Sequence, residues 1–144
     1  MLKFLLISLL TIQFSFSQYT GMQPYLEYFG PNQTISKSGA NWKVINDDED
    51  DMVFAVVNIY DKVVAHAYIK SGESFIFKDL PIGSYSYKFE CNGSFFEKKK
   101  LIKFTGCDPE VYICDGNPEW EVNVWVETTA GYVSGKISKK DFLN

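Results

Sequence analysis

The chain has 144 residues, of which 46% are hydrophobic and 17% aromatic, and a formal net charge of −4. That composition excludes a disordered chain, and the acidic balance removes the long-range attraction that nucleic acid or an anionic lipid surface requires. The length fits a single domain with its own core, held without a metal or dense disulfides.

Lys3 is followed by a mostly apolar run, Phe4 to Phe16, closed by Ser15-Phe16-Ser17. A positive start, an apolar stretch too short to span a bilayer and small residues two apart are the layout of a secretory signal. Residues 1–17 are therefore read as a signal peptide and 18–144 as one exported domain, bound for the periplasm, the outer surface or the medium. Gln18 to Gly39 mixes aromatics with Gly, Pro, Ser and Asn, which predicts a strand near Tyr25–Phe29 and then a long loop. A short strand is expected at Trp42–Ile45, followed by the acidic run Asp47–Asp51.

From Met52 the strand signals strengthen. Met52 to Tyr60 is apolar on both faces, as in a central strand. Asp61-Lys62 predicts a tight turn into a second strand, Lys62 to Lys70, with Val63, Ala65, Ala67 and Ile69 on one face. Phe75 and Phe77 mark a short strand, and Pro81-Ile82-Gly83 a turn. Ser84 to Cys91 alternates: Tyr85, Tyr87, Phe89 and Cys91 face one side, and Ser84, Ser86, Lys88 and Glu90 the other. That is the pattern of a half-buried antiparallel strand. Asn92-Gly93 is a hairpin turn, and Phe95 to Phe104 returns with Lys98-Lys99-Lys100 as an exposed bulge or edge. Further strands are expected at Val111–Cys114, Trp120–Glu127 and Tyr132–Ile137, with Phe142 tucked into the core. No amphipathic helix is evident. The sum is an all-β fold, an antiparallel β-sandwich of about seven to eight strands with no substantial helix.

The segment from Tyr68 to Phe77, leading through Lys78-Asp79-Leu80-Pro81-Ile82-Gly83 to Ser84-Tyr85-Ser86-Tyr87-Lys88-Phe89, resembles the strand–turn–strand of transthyretin-like and carboxypeptidase-regulatory-like domains. There a Tyr after the Pro/Gly turn plugs the end of the core while its hydroxyl stays wet. The stretch from Trp120 through Gly131 to Phe142 also looks like the tail of small secreted proteins of this type in Bacteroidota. The resemblance implies a sandwich of seven or eight strands and a structural or binding role, and no activity.

Candidate sites are few. Cys107 and Cys114 bracket a short segment and are the preferred disulfide pair, leaving Cys91 as a buried free thiol. The acidic run is read as a solvated loop, with Asp47, Asp48 and Asp50 as the ligands to test should it take Ca²⁺. No cofactor is expected. His66, the single histidine, lacks the partners of a zinc site. Asn32-Gln33-Thr34 and Asn92-Gly93-Ser94 match a glycosylation sequon, relevant only in a eukaryotic secretory pathway. Trp125 falls on the polar face of its strand, and Trp42, Tyr112 and Tyr132 are placed to extend an aromatic contact surface, with a second core layer as the alternative. No catalytic motif stands out, so no enzyme is expected. The expected function is a secreted binding or accessory subunit of a cell-envelope or cell-surface protein assembly. A carbohydrate-binding module is the alternative, and a small hydrolase or hydrolase inhibitor a weaker one. Envelope or surface proteins are the expected partners, glycans the second possibility, and the chain is not expected to be an integral membrane protein.

Overall fold

A computed structural model describes residues 17–104, 120–126, 128–129, 132–133 and 135–144. The expected signal segment up to residue 16, Tyr112 and the pair Cys107 and Cys114 lie outside the described residues, as does the expected strand Val111–Cys114.

The fold is all-β, as the alternation demanded. Its strands are β1 (Trp42–Asn46), β2 (Met52–Asn58), β3 (Val63–Ile69), β4 (Ser74–Phe77), β5 (Gly83–Cys91), β6 (Ser94–Phe104), β7 (Trp120–Val124), β8 (Thr128–Thr129), β9 (Tyr132–Val133) and β10 (Lys136–Ile137). Eight of them form the two layers of a sandwich, a sheet in the order β10-β6-β5-β2-β3 and a sheet in the order β4-β1-β7, while β8 and β9 pair separately. Neither layer closes into a barrel. The helices among the described residues are short, α1 (Leu26–Phe29) and α2 (Lys139–Leu143).

Between the layers lies the main core. Trp42 and Val44 of β1, Phe54 and Val56 of β2, Phe89 of β5, Phe96 and Phe104 of β6 and Val124 of β7 meet there. Trp42 packs edge-on against Phe54 and tilted against Phe104, each with centroids 5.5 Å apart. A second cluster covers the outer face of the larger sheet. Val53, Ala55, Val57, Val63, Phe95 and the fully buried Phe142 join Tyr25 and Phe29 there. Hence β2 is apolar on both faces: one faces the sandwich core, and the other lies under α1 and α2.

The Asn92-Gly93 turn holds φ of 49° and 73°, the left-handed pair that Asn and Gly tolerate best. Opposite Tyr85–Tyr87 the β5–β6 register shifts, so β6 bulges over Lys99, Lys100 and Leu101, past Lys98, which pairs with Tyr87, and beyond the reach of β10, which pairs only with Phe95 and Phe96. Gly135 lets β6 and the β10 turn touch: its carbonyl accepts from Glu97 N–H at 2.8 Å, and a Cβ at Gly135 would meet the Glu97 carbonyl oxygen at 2.6 Å.

Two expectations are corrected. Residues 26–29 form a helical turn, not a strand; the Tyr25 N–H is tied to His66 and Gly30 closes the turn at φ 70°. The strand–turn–strand expected at residues 68–89 is present, and its chain crosses from one sheet to the other between β4 and β5. Tyr85 does plug the core, but its hydroxyl donates to the Pro81 carbonyl instead of to water.

The outer edge of β3 is sealed by the segment before β1. Gly21 and Met22 exchange backbone bonds with Tyr68, Gln33 N–H donates to the Val64 carbonyl, and the Asn32 amide grips both backbone groups of His66. The sequon at Asn32 is thus a strand surrogate whose side-chain amide is already engaged. Sealed edges do not recruit further strands.

Candidate functional site

Among the described residues, a concave surface lies at the β2–β3 turn. Asn58 organises it: its side-chain oxygen accepts from the N–H groups of Tyr60 and Lys62 at 2.9 and 3.0 Å, and its own N–H donates to the Lys62 carbonyl. This Asx turn holds Ile59 and Tyr60 outward, 59% and 75% exposed. Beside Tyr60 opens a cavity of about 450 Å³ whose wall mixes Lys62, Lys88 and Lys98 with Asp61, Glu97 and Asp141.

Lys88 is the unusual residue of that wall. It falls on the polar side of the β5 alternation, yet is only 5% exposed, because Phe29 and Phe142 close over it. Its Nζ lies 5.7 and 5.6 Å from their ring centroids and donates to the Asp141 carbonyl at 3.1 Å and to a main-chain oxygen of Asn144 at 3.4 Å. Burial lowers its pKa, against the opposing pull of Glu97, Asp61 and Asp141. Sequence reasoning missed it. The available signal was Phe142, whose expected burial implied a covered patch on the outer sheet face.

The acidic run is mostly exposed but tethered through Asn46 and Asp48. Buried Asn46 at the end of β1 donates to the carbonyls of Asp50 and Ile69, each at 2.9 Å, and accepts from Asp48 N–H at 2.9 Å. Asp48 in turn accepts from Val126 N–H at 2.9 Å and Asp50 N–H at 3.1 Å. Burial opposes its ionisation, but these donors and the Cys91 thiol outweigh that and hold its pKa below the ordinary value. Asp51 is likewise lowered, by the Tyr68 hydroxyl and Ser71 N–H. The donor atoms of Asp48, Asp50 and Cys91 lie within 4.8 Å of one another, and Asp47 is not among them. Two committed carboxylate oxygens and a buried thiol pushed up to about 12 by burial and Asp48 do not fit a hard cation, which takes six to eight oxygens. The loop ties β1, β2 and β7 together instead.

Comparison with known protein families, curated proteins and solved structures returns no match. The site must speak through its own residues.

Of the four expected aromatic contact residues, Trp42 is corrected. It is 0% exposed at the centre of the sandwich, because the parallel pairing of β1 with β7 turns it into the core. Trp125, just past β7, is 47% exposed. Tyr132 lies in β9, and Tyr112 is outside the described residues. His66 is fully buried on β3, its Nε2 accepting from Tyr25 N–H at 3.0 Å, and burial pushes its pKa down to about 4. Cys91 is a buried free thiol. Among the described residues no helix is long and apolar enough to cross a membrane.

Proposed function

We propose that this protein is an exported, non-enzymatic β-sandwich that serves as a binding or accessory subunit of a cell-envelope or cell-surface protein assembly. The observation that carries this reading is the β2–β3 turn. Two large apolar side chains, Ile59 and Tyr60, stand in water on a turn that Asn58 has already ordered, next to a concave polar wall. Preorganised contact residues lose little entropy on association, which is what an interface anchor needs. Lys3 and the apolar stretch Phe4–Phe16 support export. Residues 68–89 support kinship with transthyretin-like domains, which serve as structural or binding modules.

The glycan-binding alternative draws its support from the exposure of Trp125, weakened because Trp42 does not join it at the surface. The test is capture of companions from the native envelope with tagged wild type and with Ile59→Ser/Tyr60→Ser. A stoichiometric protein set held by wild type and lost by the double variant supports the reading. No companion, together with Trp125-dependent retention on a glycan array, overturns it in favour of sugar binding.

A further inference from the structure

The segment before β1 is a strap along one side of the sandwich. Its first ties to the sheets lie at Thr20, whose hydroxyl accepts from Lys70 N–H at 3.0 Å and donates to Glu73. Gly21 N–H then donates to the Tyr68 carbonyl at 2.8 Å, and Tyr68 N–H to the Met22 carbonyl at 2.7 Å. A Cβ at Gly21 would meet the Phe75 ring at 3.1 Å, so the strap also lies against β4. It thus closes the side of the sandwich between β3 of one sheet and β4 of the other. Ahead of these ties Ser17, Gln18 and Tyr19 are exposed. Cleavage of the expected signal peptide after Ser17 leaves Gln18 as the first residue, with only Tyr19 between the new α-amine and Thr20.

We propose that the mature chain begins with Gln18 cyclised to pyroglutamate, a neutral lactam that shields the strap from trimming at its end. The proposal rests on the reading of the protein as exported and names a modification of that exported form. A terminal Gln holds both reactants. Its α-amine, of which about a tenth is free base at neutral pH, attacks its own side-chain carbonyl carbon, Cδ. A new C–N bond closes a five-membered ring, the bond from Cδ to the side-chain nitrogen breaks, and that nitrogen leaves as ammonia. No oxidant or second substrate is consumed, and both reacting groups belong to one exposed residue, so the fold need not move. Gln18 lines a cavity of about 250 Å³ beside Pro24, Tyr25 and Tyr68. Asp51 and Glu90 share that wall and would attract a terminal ammonium, but each already accepts a tyrosine hydroxyl, from Tyr68 and Tyr25 respectively. A surface ion pair is a weak tie in water, so cyclisation forgoes little. What it adds is chemical: an aminopeptidase needs a free α-amine, and the lactam has none. Residues lost from this end would take the ties to β3 with them and uncover an edge that recruits strands.

The test uses the mature protein isolated from its native envelope or medium. Reductive dimethylation of the intact protein marks any amine that is free at that moment and prevents its cyclisation during later handling. A glutamyl endopeptidase then releases the N-terminal peptide ending at Glu27, and mass spectrometry reads it. The expected peptide starts at Gln18, carries no label and is lighter than its linear form by one ammonia. A peptide that starts at Gln18 with a labelled amine overturns the proposal and leaves export standing, as does a mature terminus at a different residue. A chain that keeps residues 1–17 overturns the export reading, and this inference with it. Gln18→Ala, exported in the same way, should carry the label and lose its first residues to a broad-specificity aminopeptidase, while the wild type loses none. Equal trimming of the two, or trimming of neither, overturns the protective role.

Discussion

Lowering the pH should loosen the packing of the N-terminal segment through His66. The ring is fully buried between β3 and α1, packed edge-on against Phe29 at 5.1 Å, and its Nε2 accepts the Tyr25 N–H. In the neutral ring the proton therefore sits on Nδ1, which has no well-formed hydrogen bond among the described residues, although the Gln23 backbone pulls weakly against the effect of burial. Protonating Nε2 removes the acceptor and buries a charge. The pKa falls from 6.5 in the unfolded chain to about 4 in the fold. Between those values the unfolded chain binds a proton that the folded one refuses, so stability is lost as pH falls from 6.5 to about 4 and the loss levels off below. At 1.36 kcal/mol per pKa unit, the loss reaches about 3 kcal/mol, a large fraction of the 5–15 kcal/mol typical of a domain. The lowered carboxylates Asp48 and Asp51 act in a different window: their contribution is lost only as pH falls through and below their ordinary 3.8. Urea unfolding followed by tryptophan fluorescence across pH 6.5 to 4 measures the slope. His66→Gln, which places an amide oxygen near the Nε2 position and cannot titrate, should flatten it. A wild-type stability that is constant across that window, or an equal slope in His66→Gln, would refute the reasoning.

Other expectations follow from the core and the loop. Asn46→Ala should cost about 2 kcal/mol, since it strands the buried Ile69 carbonyl and removes the partners of the Asp50 carbonyl and Asp48 N–H; denaturant midpoints at unchanged m-value check it. Trp42→Ala should cost about 3–5 kcal/mol, whereas Trp125→Ala should change stability by about 0.5 kcal/mol or less; paired thermal melts separate the two. Cys91 should resist alkylation in the native state at mildly alkaline pH, because its thiol is buried and pushed up to about 12, and should label on unfolding; peptide-resolved mass spectrometry reads it. The same maps should show Cys107 and Cys114 unlabelled without reductant if they pair.

The parts of the fold written in local patterns were legible. The alternation through Tyr85, Phe89 and Cys91, the Asn92-Gly93 turn and the two-faced apolar run at Met52 each encode their own environment. The misreadings share one cause, contacts distant in sequence. Aromatic-rich residues 25–29 look like a strand, but the imidazole of His66 anchors the start of a helical turn there. Lys88 reads as solvent-facing until the far end of the chain folds Phe142 over it. Trp42 and Trp125 are alike in composition terms, and only the register of β1 against β7 sends the first inward. The acidic run reads as a solvated loop, and Asp47, Glu49, Asp50 and Asp51 are exposed. What that reading does not include is the loop's internal order, with side-chain oxygens at Asn46 and Asp48 each accepting an N–H two residues on, as in successive Asx turns.

The parallel union of β1 and β7 also orders events in time. The hairpins β2–β3 and β5–β6 join neighbours along the chain and can zip within microseconds. The smaller sheet cannot close until residues 78 positions apart, such as Asp48 and Val126, find one another. Long loop closures of this kind slow folding. Until β7 arrives, β1 has a bare edge and Trp42 lacks one of its walls. A nascent chain ending before residue 120 would therefore hold an open, sticky half-sandwich, and completion of β7 is the step that commits the molecule to its final form.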